Sequence, residues 1–135
     1  MKAPRRKPTD AELGILNVLW SRGPSTVRQI AEDMGREAGY TTILKLLQIM
    51  TEKALVVRDE GARTHVYTAA YTQDQTQRQL VADLLARAFD GSASKLVLQA
   101  LAAGRTTPED LVEIKRLLRG AGTSGANDDK PGGSR

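Results

Sequence analysis

Residues 39–69 read GYTTILKLLQIMTEKALVVRDEGARTHVYTA, and within them the apolar spacing changes from the period of a helix to that of a strand. Ile43, Leu47, Met50 and Ala54 fall at i, i+4, i+7 and i+11, which puts them on one face of a helix that Thr41 or Thr42 is expected to cap. Two β-prone runs follow, Val56 to Asp59 and Thr64 to Thr68, on either side of Glu60-Gly61-Ala62-Arg63. Runs of that length around a glycine-containing turn predict an antiparallel hairpin. In the second run Val66 faces the opposite side from His65 and Tyr67, as in a strand with one buried face.

Upstream, two further helices are marked by their starts. Thr9 and Glu12 form a T-x-x-E box ahead of Leu13, Leu16, Val18, Leu19 and Trp20, so helix one is expected from about Asp10 to Trp20. Ser21-Arg22-Gly23-Pro24 ends it. Thr26 and Gln29 make a second box before Val27, Ile30, Ala31 and Met34, with Gly35 as the stop and Gly39 punctuating the next connection. Three helices and a hairpin within about 60 residues are the layout of a winged helix-turn-helix. The fold class is mainly α with a small β-hairpin wing.

Downstream, the polar stretch Thr72 to Gln79 is expected to separate the winged helix, residues 9–71, from a helical region, residues 72–119. Three apolar-striped segments make up that region: LVADLLARAFDG, SASKLVLQALAAG, and TTPEDLVEIKRLLRG, in which Thr107 caps and Pro108 takes the first helical position. Three short helices with wide apolar faces cannot all bury them in one chain of this size. They are therefore expected to form a homodimer through Leu84, Leu85, Ala88, Phe89, Leu96, Leu98, Leu101, Leu111, Ile114 and Leu118. Residues 1–8, with Lys2, Arg5, Arg6 and Lys7 between prolines, read as a flexible basic arm. Residues 120–135 are rich in Gly, Ser, Asp and Asn and read as a disordered tail.

Composition narrows the function. The formal net charge is +4, and residues 1–70 hold 11 basic against 8 acidic side chains, so a polyanion should meet the N-terminal half. With no cysteine and one histidine, His65, a disulfide scaffold, a thiolate metal site and a cysteine nucleophile are excluded, and no metal site is expected. No catalytic constellation or cofactor-binding glycine motif is present, so neither an enzyme nor a cofactor is expected. Nothing approaches the roughly 18 apolar residues of a membrane span, which predicts a soluble cytoplasmic protein without membrane insertion.

The third helix carries the functional signal. Its buried face leaves Thr41, Thr42, Lys45, Leu46, Gln48 and Ile49 on the other side, and hydroxyl, amide and amine groups near a helix start suit base reading and phosphate anchoring. Leu46 and Ile49 either contact thymine methyls or pack on a neighbouring helix. Arg63 at the hairpin tip and Arg58 in its first strand make a basic wing placed for phosphates or a minor groove, and His65 points either inward or toward DNA. The candidate set for double-stranded operator DNA is Thr26, Arg28, Tyr40, Thr41, Thr42, Lys45, Gln48, Arg63 and His65. Trp20 ends an apolar face with no second aromatic beside it, which fits core packing better than base stacking.

These segments together resemble the BlaI/MecI penicillinase-repressor family, which includes the copper-responsive CopY repressors. PTDAELGILNVLW is similar to its first helix, GPSTVRQIAEDM to its second, YTTILKLLQIMTEKALV to its recognition helix, ARTHVYTA to its second wing strand and FDGSASKLVLQAL to its F-x-G-S segment, from about Pro8 to Leu118. The resemblance implies a homodimeric repressor on a dyad-symmetric operator. It also implies release by C-terminal cleavage downstream of a membrane sensor protease, or by copper at a cysteine motif. The chain has no cysteine for the copper switch, and where antibiotic-responsive members are cut at Asn-Phe it reads Gln99-Ala100. Two other classes remain open on the residues alone: a winged-helix protein-interaction module, and a regulator that senses a small molecule directly.

Overall fold

Threonine starts most of the helices. In the computed structural model, which describes residues 6–35, 39–61 and 63–128 with side chains as far as Gly120, six helices and two strands are present among the described residues. Thr9 and Glu12 exchange side chain-to-amide bonds at the start of α1 (Asp10–Arg22), and Thr26 and Gln29 do so at the start of α2 (Val27–Met34). The same reciprocal pair recurs between Thr72 and Gln75 at α4 (Gln73–Ala88) and between Thr107 and Asp110 at α6 (Pro108–Asp128). Ser92 accepts from the Lys95 amide to begin α5 (Ala93–Ala102). Each satisfies amides that a helix start otherwise leaves unpaired.

Thr72 to Gln79, polar as it is, forms the first two turns of α4, capped by its own box, with Thr76 buried. Two expectations about the third helix are corrected here. Helix α3 (Tyr40–Glu52) starts two or three residues earlier than expected, so Thr41 and Thr42 lie inside its first turn and the N-cap is Gly39, which has no side chain to offer. Ala54 lies outside that helix, with φ at +63°. It is the left-handed residue of a Schellman closure: its amide bonds the Thr51 carbonyl, and the Leu55 amide bonds the Met50 carbonyl at 2.9 Å. Leu55 and Met50, the hydrophobic pair of that motif, are both buried. The helical backbone of α6 also runs past Arg119 into glycine-rich sequence, because extending a formed helix costs less than nucleating one.

The chain divides into two compact units, one up to Leu84 and the other from Leu85 onward. In the first, Ile15, Leu16 and Leu19 of α1, Val27 and Ile30 of α2 and Ile43, Leu47 and Met50 of α3 meet Leu55, Val56 and Tyr67 in one core. Gly14 allows α2 to approach α1, since a Cβ there would stand 3.2 Å from the Met34 methyl. Strands β1 (Val56–Asp59) and β2 (Val66–Ala69) pair antiparallel, with Val56 opposite Ala69 and Arg58 opposite Tyr67. A third rung is added by Ser25, whose amide and carbonyl bond the Tyr67 backbone at 3.0 and 2.8 Å. Trp20, half-buried against the core, donates its indole N–H to the Tyr71 carbonyl at 3.0 Å.

One long-range ion pair fastens the first unit. Lys53, just beyond α3, places its ammonium 2.9 Å from both carboxylate oxygens of Glu12, the same side chain that closes the α1 capping box. Glu12 is 3% exposed and Lys53 17%. Burial by itself raises the Glu12 pKa; the Thr9 amide, the Lys53 hydrogen bond and charge, and the Thr9 hydroxyl outweigh it and hold the carboxyl below its ordinary value.

In the second unit, no described residue from Leu85 onward is buried within the single chain. Helices α5 and α6 nevertheless present Leu98, Val112 and Leu118 at 64%, 68% and 62% exposure.

Two stability measurements check this account. Glu12→Gln keeps an acceptor for the Thr9 amide but strands the Lys53 charge, which should cost about 1–3 kcal/mol at neutral pH. Because the folded-state pKa of Glu12 is depressed, the wild-type advantage is complete above the ordinary glutamate value of 4.5 and disappears as pH falls through the lower folded value. Denaturant unfolding should show the gap at pH 7 shrinking at about pH 3; an equal gap at both rejects the pairing. Ala54→Gly removes a Cβ from a left-handed position and should stabilise the protein by about 0.5–1 kcal/mol in the same assay, whereas destabilisation would contradict the Schellman closure.

Candidate nucleic-acid interface

Helix α3 sorts its side chains by angle. Ile43, Leu47 and Met50 are fully buried, and Thr41, Thr42, Lys45 and Gln48 are exposed on the opposite side. Of the two apolar residues expected on that outer side, Leu46 packs against the core, while Ile49 stays in solvent beside the polar set. Tyr40, the first residue of α3, is 53% exposed and lines a shallow depression with Arg28, Ala31 and Glu32 of α2.

The start of this helix differs from the other five. Each of those begins on a serine or threonine whose hydroxyl accepts from a backbone amide, whereas α3 begins on Gly39 without a side-chain cap. Among the described residues, no side chain caps the amides of its first turn or the positive end of its dipole, next to Thr41, Thr42 and Lys45. Such a terminus favours an anion supplied from outside.

The remaining candidates divide. Arg28 is exposed on α2. Thr26 is half-buried, and its hydroxyl accepts from the Gln29 amide at 3.2 Å, so it serves first as the α2 cap. On the wing, Arg63 and His65 are both exposed, which settles the open orientation of His65 in favour of solvent. Arg58 is not an unengaged cation. It lies on the inner face opposite Tyr67 and forms an ion pair with Glu60. A hydrogen bond to the Tyr67 hydroxyl, then the bond to Glu60 and its charge, raise the Arg58 pKa. The wing as a whole is charge-balanced rather than basic, since Arg58 and Arg63 are matched by Asp59 and Glu60.

Of the N-terminal arm, Lys2 and Arg5 lie outside the described residues. Arg6 is exposed, Lys7 pairs with Asp83 of α4 at 2.7 Å, and Pro8 is buried. The other expected faces lie on the C-terminal helices. Leu84, Ala88, Leu98, Leu101, Leu111 and Leu118 are exposed, and Leu85, Phe89, Leu96 and Ile114 are half-buried. Val81, Val97, Val112 and Leu117, outside the expected dimer set, are exposed as well and extend the apolar stripes of α4, α5 and α6. Gln99 and Ala100 are exposed within α5. No helix among the described residues is long and apolar enough to cross a membrane.

A family model described as penicillinase repressor matches residues 8–120. The chain is 35% identical over 92 residues to the transcriptional regulator BlaI of Mycobacterium tuberculosis, covering 66% of this chain and 67% of that relative. It is 20% identical over 112 residues to the penicillinase repressor of Bacillus licheniformis, covering 82% of this chain and 88% of the other.

Proposed function

The chain belongs to the penicillinase repressor family of transcriptional regulators, and we propose that it acts in the cytoplasm as a homodimer that occupies a dyad-symmetric operator, with α3 in the major groove. The family is one of regulators rather than enzymes. The observation that carries the reading is the outer face of α3, where Thr41, Thr42, Lys45 and Gln48 stand exposed at a helix start that no side chain caps. Thr42 and Gln48 combine donor and acceptor atoms and are the candidates for base edges. Lys45 and Arg63 are point charges for phosphates, with Arg28 and Tyr40 at the margin of the same face and His65 on the wing.

The homodimer reading is supported by the second unit. Apolar side chains as exposed as Leu98, Val112 and Leu118 leave an association surface that a single chain does not cover. Dimerisation makes the second half-site an intramolecular target at an effective concentration near mM, against about 1 μM for free readers. The ratio of about a thousand corresponds to roughly 4 kcal/mol of operator occupancy. Release is then dimer disruption, by cleavage in α5 near Gln99-Ala100 if a sensor-protease pathway operates. That bond lies inside a helix, so α5 must open locally before a protease can take it in extended form.

Readout is checked by measuring binding to the duplex upstream of the protein's own gene across a range of salt. Thr42→Ala or Gln48→Ala should lose roughly 1–3 kcal/mol and change base preference, whereas Lys45→Ala and Arg63→Ala should weaken all sequences and reduce the salt slope by about one. If Lys45→Ala left affinity and slope untouched, α3 would not be the reading helix. Assembly is checked by sedimentation. The double substitution Leu98→Asp and Leu118→Asp should give monomers that bind one half-site as the wild type does and the full operator about a thousandfold more weakly. An unchanged dimer would reject the assigned surface.

A further inference from the structure

The wing's charges are arranged as well as balanced. Asp59 turns back on the hairpin, its carboxylate accepting the Gly61 amide at 2.8 Å. Glu60, more than half exposed, reaches instead to the Arg58 guanidinium. Below that guanidinium lies Tyr67, its cross-strand partner, with the side chain buried in the core and the hydroxyl bonded to Arg58. Arg58 is thus fixed from two sides on a surface where its side chain still has 36% exposure. Arg63, at the other end of the turn, is exposed.

A carboxylate and a phosphate offer an arginine fork the same kind of acceptor pair. Glu60 therefore engages the Arg58 guanidinium with the same kind of acceptor that a DNA phosphate would offer. We propose that Glu60 tunes the wing by withholding Arg58 from the DNA backbone, so that the wing adds little sequence-independent affinity and discrimination is left to α3. The inference rests on the DNA-binding reading given above. Its physical basis is that phosphate contacts raise affinity for every sequence equally and carry no base information, so one fewer such contact lowers non-specific occupancy without weakening base discrimination.

The test uses the full chain and a double-mutant cycle of Glu60→Gln, Arg58→Gln and both together. Each is titrated onto the duplex upstream of the protein's own gene and onto a scrambled duplex of equal length, at several salt concentrations. Glu60→Gln should bind the scrambled duplex a few-fold to about tenfold tighter, with a salt slope steeper by about one. That gain should be mostly lost when Arg58 is also replaced. Thermal melts verify that the variants remain folded. Unchanged or weaker binding by Glu60→Gln would overturn the inference, and the latter would mean that Glu60 orients Arg58 toward phosphate. An equal gain in the Arg58→Gln background would overturn it too, since Glu60 would then act on DNA by simple repulsion. If the wild-type protein bound neither duplex, the DNA-binding reading itself would fail, an outcome separate from wild-type binding that Glu60→Gln does not alter.

Discussion

Tyr67 is attached to the rest of the first unit in two ways, and the wing depends on both. Its amide and carbonyl exchange hydrogen bonds with Ser25, a buried residue between α1 and α2 whose hydroxyl in turn bonds the Gly23 carbonyl at 2.7 Å. Its side chain is 1% exposed, among residues from all three helices. A two-stranded hairpin alone is marginal in water; here one strand is pinned by Tyr67, and the other leaves α3 through the Schellman closure at Ala54 and Leu55. The hairpin and α3 consequently share one anchor, so the wing keeps a fixed place next to that helix.

Around that anchor the charged groups divide into structural and available sets. Lys53 is committed to Glu12, Lys7 to Asp83, Arg22 to Asp33 and Arg58 to Glu60. Lys45, on the outer face of α3, takes part in none of these pairs and stands among hydroxyl and amide groups. A net charge of +4 would by itself suggest a diffuse attraction for polyanions. The pairing concentrates it, because cations held in cis by carboxylates contribute little at a distance.

Much of this was legible in the sequence because it is local. Helix starts at Thr9, Thr26 and Thr107 follow from residues three apart, and the change of period between Met50 and Val56 identifies the hairpin. The errors have physical causes as well. Thr72 to Gln79 lacks an apolar stripe, so the start of α4 is not marked by periodicity; its Thr72-x-x-Gln75 box is the available signal, and burial of Thr76 shows that the turn packs by a small polar side chain. Thr41 and Thr42 are good caps by residue type, yet Tyr40 already adopts helical geometry and moves the boundary to Gly39. The Glu12–Lys53 pair spans 41 residues and leaves no periodic trace. The wing's balance of charge could be counted from sequence, but which carboxylate holds Arg58 depends on Asp59 turning away to accept the Gly61 amide.

The threonine boxes also bear on how the chain acquires its shape during synthesis. Local helical order develops on the order of a microsecond, and a ribosome adds a residue in roughly a tenth of a second. Each box lies within four residues, so the chain emerges with its helix starts already marked, although helices this short fray until something packs on them. The bonds that cannot form early are those joining distant positions: Glu12 waits for Lys53, and Ser25 waits for Tyr67. The N-terminal unit therefore cannot close until Tyr67 has left the exit tunnel, and until then its apolar faces are the part of the nascent protein most in need of protection.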